Sequence, residues 1–378
     1  MDAALIARVL DLAVAIQQIP APPFGEDQRS AFVRQRFQVE GLQDISVDDL
    51  GNVYGRLSGS ENARPLVISA HLDTVFPYGV DLQVRREAEK IFGPGIGDNS
   101  LGLAGLFGVL WALRQMANGT PSLPGDLWLV ANVGEEGLGD LRGMRAVVDR
   151  FGDAPCAYLI LEGMALGQVY HRALGVQRYR ITVRTGGGHS WVDYGKPSAI
   201  HELAMLINQI TALPTPSQPR TSLNVGVISG GTSVNTIAAE AHLELDLRSE
   251  SSTTLQTLVS QVENLAQAAI RQDVSVSLEL IGQRPAGKLA SSHPLVRLAK
   301  RALQEQGLQA NLTIGSTDAN VPLSRGLPAI CIGLTTGYGA HTVNEYINTA
   351  PLAQGLAQVM AVVEGVFTEL SAATPNRT

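Results

Sequence analysis

Four short stretches of the chain are apolar without interruption, and they constrain the fold more than any other feature. A strand with one wet face alternates polar and apolar residues, whereas a strand covered on both faces is apolar throughout. Residues with helical spacing lie between the stretches, as at 99–116, and an amphipathic helix is predicted at 2–18. The pattern predicts an α/β domain with a mainly parallel sheet flanked by helices. The four stretches are 66–70, 127–133, 157–161 and 328–334.

The middle of the chain, residues 174–284, has a different pattern. Its alternating segments are 177–184, 223–229, 241–248 and 274–280, and its helical segments are 198–213 and 253–270. The order β-α-β-β-α-β with one-sided strands is typical of a ferredoxin-like α+β domain. We therefore predict one domain from residues 1–173 with 285–378, and a second domain inserted at 174–284.

Charge and composition narrow the possible partners and compartments. The net charge of −7 comes without a basic cluster, which disfavours nucleic acid as a partner. Asp2 stands where a secretion signal would carry positive charge, and no run of about 18 apolar residues predicts a membrane span. We expect a cytoplasmic protein without a membrane partner. Cys156 and Cys331 lie in apolar stretches and are predicted to be buried thiols rather than a disulfide.

Residues with metal-binding side chains lie near the ends of the apolar stretches. The carboxyl ends of parallel strands meet at one edge of a sheet, where α/β domains bind ligands. A glycine-rich loop at 93–97 brings a further carboxylate to the start of a helix. Imidazole and carboxylate groups bind zinc, and a carboxylate can bridge two ions, so we expect a pair of divalent cations. The candidate ligands are His71, Asp98, Glu136, Glu162 and His341.

Two other acids near these ligands have the positions of supporting groups. Asp73, two residues after His71 on an extended segment, can orient the imidazole. Glu135 precedes Glu136, and adjacent strand residues point to opposite faces, which leaves Glu135 for proton transfer. Taken singly, each signal has a plainer reading: Asp98 as a helix N-cap, or the two glutamates as a solvated loop. Their joint position at strand ends favours the metal site.

Five motifs occur in order along nearly the whole chain. They are 71–75 (HLDTV), 97–99 (GDN), 134–137 (GEEG), 186–190 (GGGHS) and 341–345 (HTVNE). As a set they resemble the motifs of the aminoacylase, acetylornithine deacetylase and glutamate carboxypeptidase family of metallopeptidases. The resemblance implies a catalytic domain of the zinc-peptidase type, with an inserted dimerisation domain through which the chain forms a homodimer.

The resemblance also implies roles for the metal ligands. It predicts two zinc ions bridged by Asp98, and we expect cobalt or manganese to be able to replace zinc. One ion is bound also by His71 and Glu162, and the other by Glu136 and His341.

Further residues match the catalytic and substrate-binding positions of that family. Glu135 is expected to act as general base, Asp73 to orient a ligand, and His189 to stabilise the reacting carbonyl. The residues expected to meet the substrate are Asn235, Arg248 and Ser316. A solvated histidine in a glycine turn and a surface arginine at a strand end are the plainer readings of His189 and Arg248.

The expected reaction is hydrolysis of an amide bond in a small carboxylate-bearing substrate, either a peptide or an N-acyl amino acid. Glu162 stands where aminopeptidase-like relatives have aspartate, which favours a carboxypeptidase or deacylase over an aminopeptidase or tripeptidase. Residues 190–195 depart from the small residues common in relatives, so they leave the pocket's specificity open. A non-catalytic metal-binding relative would be expected to lack Glu135 or a ligand.

Two other motifs in the chain are incomplete. The loop at 93–97 lacks dinucleotide-binding spacing because Ser100 stands where the third glycine should be. The segment 201–205 (HELAM) lacks the second histidine of a zincin helix. Both absences disfavour an oxidoreductase or a zincin.

Overall fold

The chain divides into two structural units. The computed structural model describes residues 1–116 and 123–370. One unit, the main unit, comprises Met1–Ala173 and Lys288–Thr378, and the other, the insert, comprises Leu174–Gly287. The sequence pattern predicts the end of the insert at residue 284, and the unit ends at Gly287.

The helices and strands are numbered in chain order. The strands are β1 (Gln43–Val47), β2 (Val53–Leu57), β3 (Ala63–His71), β4 (Arg85–Arg86), β5 (Lys90–Phe92), β6 (Gly125–Asn132), β7 (Ala157–Glu162), β8 (Gln168–Ala173), β9 (Gly175–Thr185), β10 (Gly188–His189), β11 (Thr221–Gly230), β12 (Thr236–Ile237), β13 (Glu240–Ser249), β14 (Val274–Arg284), β15 (Gly287–Lys288), β16 (Asn311–Gly315), β17 (Ala329–Gly333), β18 (Gly337–Tyr338) and β19 (Tyr346–Asn348). The α-helices are α1 (Ala3–Gln17), α2 (Asp27–Val39), α3 (Gly102–Met116), α4 (Arg142–Phe151), α5 (Ala199–Thr211), α6 (Ser252–Ala268), α7 (Pro294–Glu305), α8 (Asn320–Ser324) and α9 (Leu352–Glu369), and a π-helical turn, Ile96–Leu101, precedes α3.

The main unit is built on a mixed, mainly parallel sheet. Its strands lie in the order β1-β2-β6-β3-β7-β17-β8-β15, with β16 beside β8. The four central strands, β6, β3, β7 and β17, run parallel to one another, and β2 and β8 pair antiparallel at their flanks. These four are the strands predicted from the apolar stretches. The predicted α/β fold with a mainly parallel sheet is therefore confirmed.

Cores on both faces of this sheet explain why the central strands are apolar throughout. Ile68 belongs to a core that includes residues of α1, α3, α7 and α9. Leu66, two residues earlier on β3, lies in the same core. Val67, between them, belongs to a second core that includes residues of α4 and α8. The segment Ile96–Met116 is long and apolar enough to cross a membrane, but 94% of its apolar window is buried inside the protein, as in a core helix.

The insert has its own four-stranded antiparallel sheet. Its strand order is β11-β13-β9-β14, and α5 and α6 pack against it, which is the ferredoxin-like arrangement of the predicted six elements. On β13, Leu243, Leu245 and Leu247 are buried and the residues between them are half-buried. The short strands β10 and β12 form a separate pair beyond this sheet.

Candidate metal centre

The four parallel strands of the main unit deliver polar residues to one edge of the sheet. His71 is the last residue of β3 and Glu162 is the last residue of β7. Asp98 lies in the π-helical turn before α3, Glu136 follows β6, and His341 follows β18. All five predicted ligands are therefore brought together, although the sequence distance between Asp98 and His341 is 243 residues.

Asp98 stands between the two histidines. Its Oδ1 lies 3.1 Å from Nε2 of His71, and its Oδ2 lies 3.1 Å from Nε2 of His341. Glu162 Oε2 is 3.8 Å from the same nitrogen of His71, and Glu136 Oε1 is 3.2 Å from that of His341. Two groups of three thus share one carboxylate, and the ligand atoms within each group lie within 4.8 Å of one another. The donor set fits two cations bridged by Asp98.

The negative charges of the carboxylates at this edge require compensation by positive charge. Burial opposes ionisation of Asp98, but hydrogen bonds from His341 and His71 hold its pKa below the usual range. Burial raises the pKa of Glu162 well above its usual value; the charge of His71 lowers it and that of Asp98 raises it further. Hydrogen bonds to Asp98 and Glu136 raise the pKa of His341 to about 10. Crowded acids of this kind require protons on the imidazoles or cations between them.

His71 presents a defined nitrogen to the site. Its Nδ1 lies 3.0 Å from the backbone carbonyl oxygen of Asp73 and 3.4 Å from the carboxylate of the same residue. Because both neighbours are acceptors, Nδ1 keeps its proton, whereas Nε2, which donates to Asp98 in this structure, can give up its proton and offer its lone pair to a cation. Asp73 therefore contacts His71 through both its backbone and its side chain, and both contacts can orient the imidazole.

Asp73 also organises the loop that bears the glutamates. Its Oδ1 accepts a hydrogen bond from the backbone N–H of Glu135 at 2.9 Å, and its Oδ2 accepts one from that of Glu136 at 2.7 Å. Burial opposes its ionisation, but hydrogen bonds from His71 and from these two N–H groups lower its pKa below the usual value. Asp73 is thus an ionised, fully buried carboxylate that ties the end of β3 to the loop after β6.

Glu135 is buried beside the ligands, but not for the predicted reason. The expectation that Glu135 and Glu136 alternate along a strand is wrong, because β6 ends at Asn132 and both acids lie in the following loop. A carboxylate oxygen of Glu135 lies within 4.8 Å of ligand atoms of His71 and Glu136. The group is near enough to exchange a proton with a molecule bound at this edge.

Glu345 is a supporting residue to which the sequence assigned no role. It is buried, and its carboxylate accepts hydrogen bonds from the backbone N–H groups of Gly95, Gly97 and Asp98 at 2.9, 2.7 and 2.9 Å. Burial raises its pKa to about 7. It holds the loop that carries Asp98. The motif 341–345 includes this residue, but no local pattern indicates a partner almost 250 residues away.

Asn99 and Arg29 support the same edge from other directions. Asn99 donates a hydrogen bond to the carbonyl of Leu161 and accepts one from the N–H of Gly163, both at 2.9 Å, and so fixes the backbone around the last residue of β7. Arg29 is buried and donates at 2.7 Å to the carbonyl oxygen of Leu72, the residue that follows β3. Burial lowers the pKa of Arg29 to about 10.

Ser316, a predicted substrate residue, lies directly after β16 in the main unit. Asp318 in the same loop is buried and accepts a hydrogen bond from Nδ2 of Asn132 at 2.7 Å. The charge of Asp318 also raises the pKa of Glu162. The loop that carries Ser316 therefore lies beside the metal-binding edge.

The insert holds the remaining predicted site residues. His189 in β10 and Asn235 before β12 are neighbours, because the N–H of Ser190 donates to the carbonyl of Asn235 at 3.0 Å. Arg248 lies at the other end of the sheet, where it faces Val176 and donates from Nε to Asp246 at 2.6 Å. The ten-residue strand β13, which joins the two ends, spans about 30 Å at 3.3 Å per residue. Within one insert, Arg248 and His189 are therefore too far apart to contact the same small molecule.

Comparison with known proteins extends these observations. The chain is 24% identical to YqjE of Bacillus subtilis over 94% of this chain and 98% of that protein. It is 28% identical to a probable carboxypeptidase of Aspergillus flavus over 50% of this chain and 47% of that protein.

Solved structures share the fold over nearly the full length. A tripeptidase from Staphylococcus aureus superposes with a TM-score of 0.82 at 22% identity, covering 96% of this chain and 99% of that one. YxeP of Bacillus subtilis, described as a dinuclear metal-binding peptidase, superposes with a TM-score of 0.72 at 16% identity, covering 98% and 100%. The family model for peptidase family M20/M25/M40 matches residues 67–365, which include most of the main-unit sheet and the whole insert. The chain is a member of peptidase family M20/M25/M40, a metallopeptidase.

Proposed function

We propose that this peptidase uses two divalent cations, with zinc as the natural metal, to hydrolyse an amide bond in small peptides or N-acyl amino acids that carry a free carboxylate. One observation carries the proposal. The two oxygens of Asp98 each lie 3.1 Å from Nε2 of a different histidine, and a further carboxylate lies beside each histidine. A shared carboxylate between two such groups is suited to a two-metal site.

Different residues at this edge would hold the two cations. His71 and Glu162 would hold one cation, Glu136 and His341 the other, and Asp98 both. Bound there, the cations would supply Lewis acidity towards a carbonyl oxygen and would lower the pKa of water.

Glu135 is the proposed general base, because it is buried among the ligands without being needed to complete either group of three. It takes a proton from the attacking water and delivers it to the departing amine nitrogen. The reaction consumes one water and yields a carboxylate and an amine.

The substrate preference is proposed from residues outside the metal-binding edge. Arg248 keeps guanidinium donors beyond the Nε that binds Asp246, and a guanidinium can hold a carboxylate through two parallel hydrogen bonds. Asn235 and Ser316 are proposed to bind the rest of the substrate's polar groups. The names of the tripeptidase and carboxypeptidase relatives support peptides as one substrate class, and N-acyl amino acids are the second class to test.

A homodimer with shared sites follows if His189 and Arg248 both contact one small substrate. The two residues lie at opposite ends of a sheet about 30 Å long, which exceeds the length of a dipeptide. One molecule can meet both side chains only if they come from two copies of the chain. We propose that the insert pairs with its copy and contributes His189 to the partner's site.

The test is a substrate panel assayed with and without metal. Protein stripped by chelator should be inactive, and added zinc, cobalt or manganese should restore hydrolysis of dipeptides, tripeptides or N-acetyl amino acids. Glu135→Gln should lower kcat by about two to four orders of magnitude while both metals remain bound, the usual range for a lost general base. Glu364→Gln, on the exposed face of α9, is the matched control. Near-normal turnover in Glu135→Gln would contradict the assignment.

A further inference from the structure

Four apolar side chains around His189 are almost completely exposed. Trp191, Val192 and Tyr194 are 85%, 78% and 89% exposed, and Val234 is fully exposed at 103%. Single exposed apolar residues are ordinary on a protein surface, but a group of four that includes two aromatic rings marks a binding surface. We refer to these four residues as the apolar collar.

The collar belongs to two segments that are tied together at His189. The pair β10–β12 places His189 opposite Thr236, and the N–H of Ser190 donates to the carbonyl of Asn235 at 3.0 Å. Val234, next to Asn235, is thereby brought to the segment that holds Trp191. The collar residues therefore share one neighbourhood, with His189 in it.

Internal hydrogen bonds hold the first segment in a fixed shape. The carboxylate of Asp193 accepts a hydrogen bond from the N–H of His189 at 2.8 Å and forms an ion pair with Lys196 at 2.7 Å. Gly188 has a φ of +150°, and a Cβ atom there would lie 2.7 Å from the Asp193 carboxylate, so the turn requires glycine. The exposed rings of Trp191 and Tyr194 therefore belong to a turn that internal hydrogen bonds hold in one shape.

The same turn fixes which nitrogen of His189 faces outward as a donor. The backbone N–H groups of Trp191 and Val192 point at Nδ1 of His189, at 3.2 and 3.4 Å. Nδ1 must therefore be the acceptor, and Nε2 carries the proton in the neutral ring. Trp191 and Val192 therefore belong to the same turn as a histidine whose ring N–H, on Nε2, can donate to a carbonyl oxygen.

We propose that the apolar collar binds an apolar side chain of the substrate next to the scissile carbonyl, and so makes this peptidase selective for substrates with a branched aliphatic or aromatic group there. The inference rests on the proposed function, in which His189 contacts that carbonyl. An apolar group leaving water against Trp191, Tyr194 and Val234 gains free energy from the buried area, whereas a glycine at the same place gains none. The collar therefore acts on specificity and leaves the chemistry to the metal-binding edge.

The experiment compares substrates that differ only by one isobutyl group. The probes are Leu-Gly-Gly against Gly-Gly-Gly, and N-(4-methylpentanoyl)-glycine, whose acyl group is a leucyl group without its amine, against N-acetyl-glycine, with the metal-loaded full chain. The probe with the isobutyl group is called the leucine member of each pair. The wild type should prefer the leucine member of the pair that it hydrolyses. Trp191→Ala and Tyr194→Ala should each reduce kcat/KM for the leucine substrate about tenfold and change the glycine substrate less than about twofold, the range expected when part of an apolar pocket wall is removed.

Val39→Ala serves as the matched control, since Val39 is an apolar residue 68% exposed at the end of α2. Sedimentation velocity on each variant reports whether the collar binds another copy instead. An unchanged leucine-to-glycine ratio in both collar variants would overturn the inference, and so would an equal loss on both substrates with a change of oligomeric state. These results are distinguishable from failure of the proposed function, in which wild-type protein loaded with metal would hydrolyse neither member of either pair.

Discussion

Replacing Asp73 by asparagine should destabilise the main unit by an amount that the hydrogen bonds predict. The two carboxylate oxygens accept separate backbone N–H groups, those of Glu135 and Glu136. An asparagine offers one oxygen, and its NH2 group then faces the other N–H. Asp73→Asn therefore leaves one buried N–H without an acceptor, and Asp73→Ala leaves two.

The expected losses of stability follow from the free energy of an unmade buried hydrogen bond. Each N–H left without an acceptor costs about 1–3 kcal/mol, so Asp73→Asn should cost about 1–3 kcal/mol and Asp73→Ala about 2–6 kcal/mol. For a unit of this size, Tm falls by roughly 2–4 °C per kcal/mol. The order wild type, asparagine, alanine is the distinctive part of the prediction.

Denaturant unfolding in the presence of chelator measures these losses without the contribution of bound metal. Adding zinc should then widen the gap to wild type, because His71 loses one of the two groups that orient it as a ligand, the side-chain carboxylate. Asp149→Asn is the control, since its ion pair with Arg325 is exposed and contributes about 0–1 kcal/mol. Losses below about 0.5 kcal/mol in both Asp73 variants, or equal losses in the two, would refute the argument.

The pH dependence of this effect has a definite sign. The pKa of Asp73 in the folded protein is lower than its ordinary value of 3.8. A group with a lowered pKa stabilises the fold above its unfolded pKa, and the contribution is lost as pH falls through the folded pKa. The stability difference between wild type and Asp73→Asn should therefore be constant above about pH 5 and shrink below about pH 4. A difference that grows on acidification would contradict an ionised Asp73.

Three further predictions concern metal binding, substrate recognition and assembly. Asp98→Ala should retain fewer than about two ions per chain by elemental analysis, because it removes the one carboxylate common to both groups, and full occupancy would reject the bridge. Amidation of the substrate carboxylate should lower kcat/KM strongly for wild type and little for Arg248→Ala, whereas equal losses would reject the carboxylate clamp. Mixing Glu135→Gln with His189→Ala after subunit exchange should restore roughly a quarter of wild-type activity, because half of a random mixture is heterodimer with one intact site. No recovery would reject a shared site.

The fold could be predicted from the sequence where the local pattern of apolar residues directly reflects burial. The central strands are apolar on both sides because cores cover both faces of the sheet, so β3, β6, β7 and β17 could be predicted without knowing their partners. The insert could be predicted for the opposite reason, since β13 alternates between buried and half-buried residues. Ligands at strand ends then followed from the convergence of parallel strands at one edge.

The sequence was less informative where a residue acts through distant backbone atoms. Glu345 accepts a hydrogen bond from the loop that carries Asp98, 250 residues earlier in the chain. Arg29 donates a hydrogen bond to the carbonyl oxygen of Leu72, 43 residues later. Neither partner is a side chain, so no pattern of residue types reveals the interaction. The placement of Glu135 was also beyond local reasoning, because the loop after β6 takes its shape from Asp73 rather than from strand alternation.

The order of the elements has a consequence for the chain as it leaves the ribosome. His71, Asp98, Glu136 and Glu162 emerge first, then the whole insert, and only later β17 and His341. Until β17 is synthesised, β7 has an open edge and the central sheet lacks a strand, while the insert can already close its own core. A nascent chain thus carries one complete group of three ligands long before the other. A metal ion bound before β17 is synthesised would lie at an incomplete edge of the sheet. The two-cation centre can form only after His341 has been synthesised.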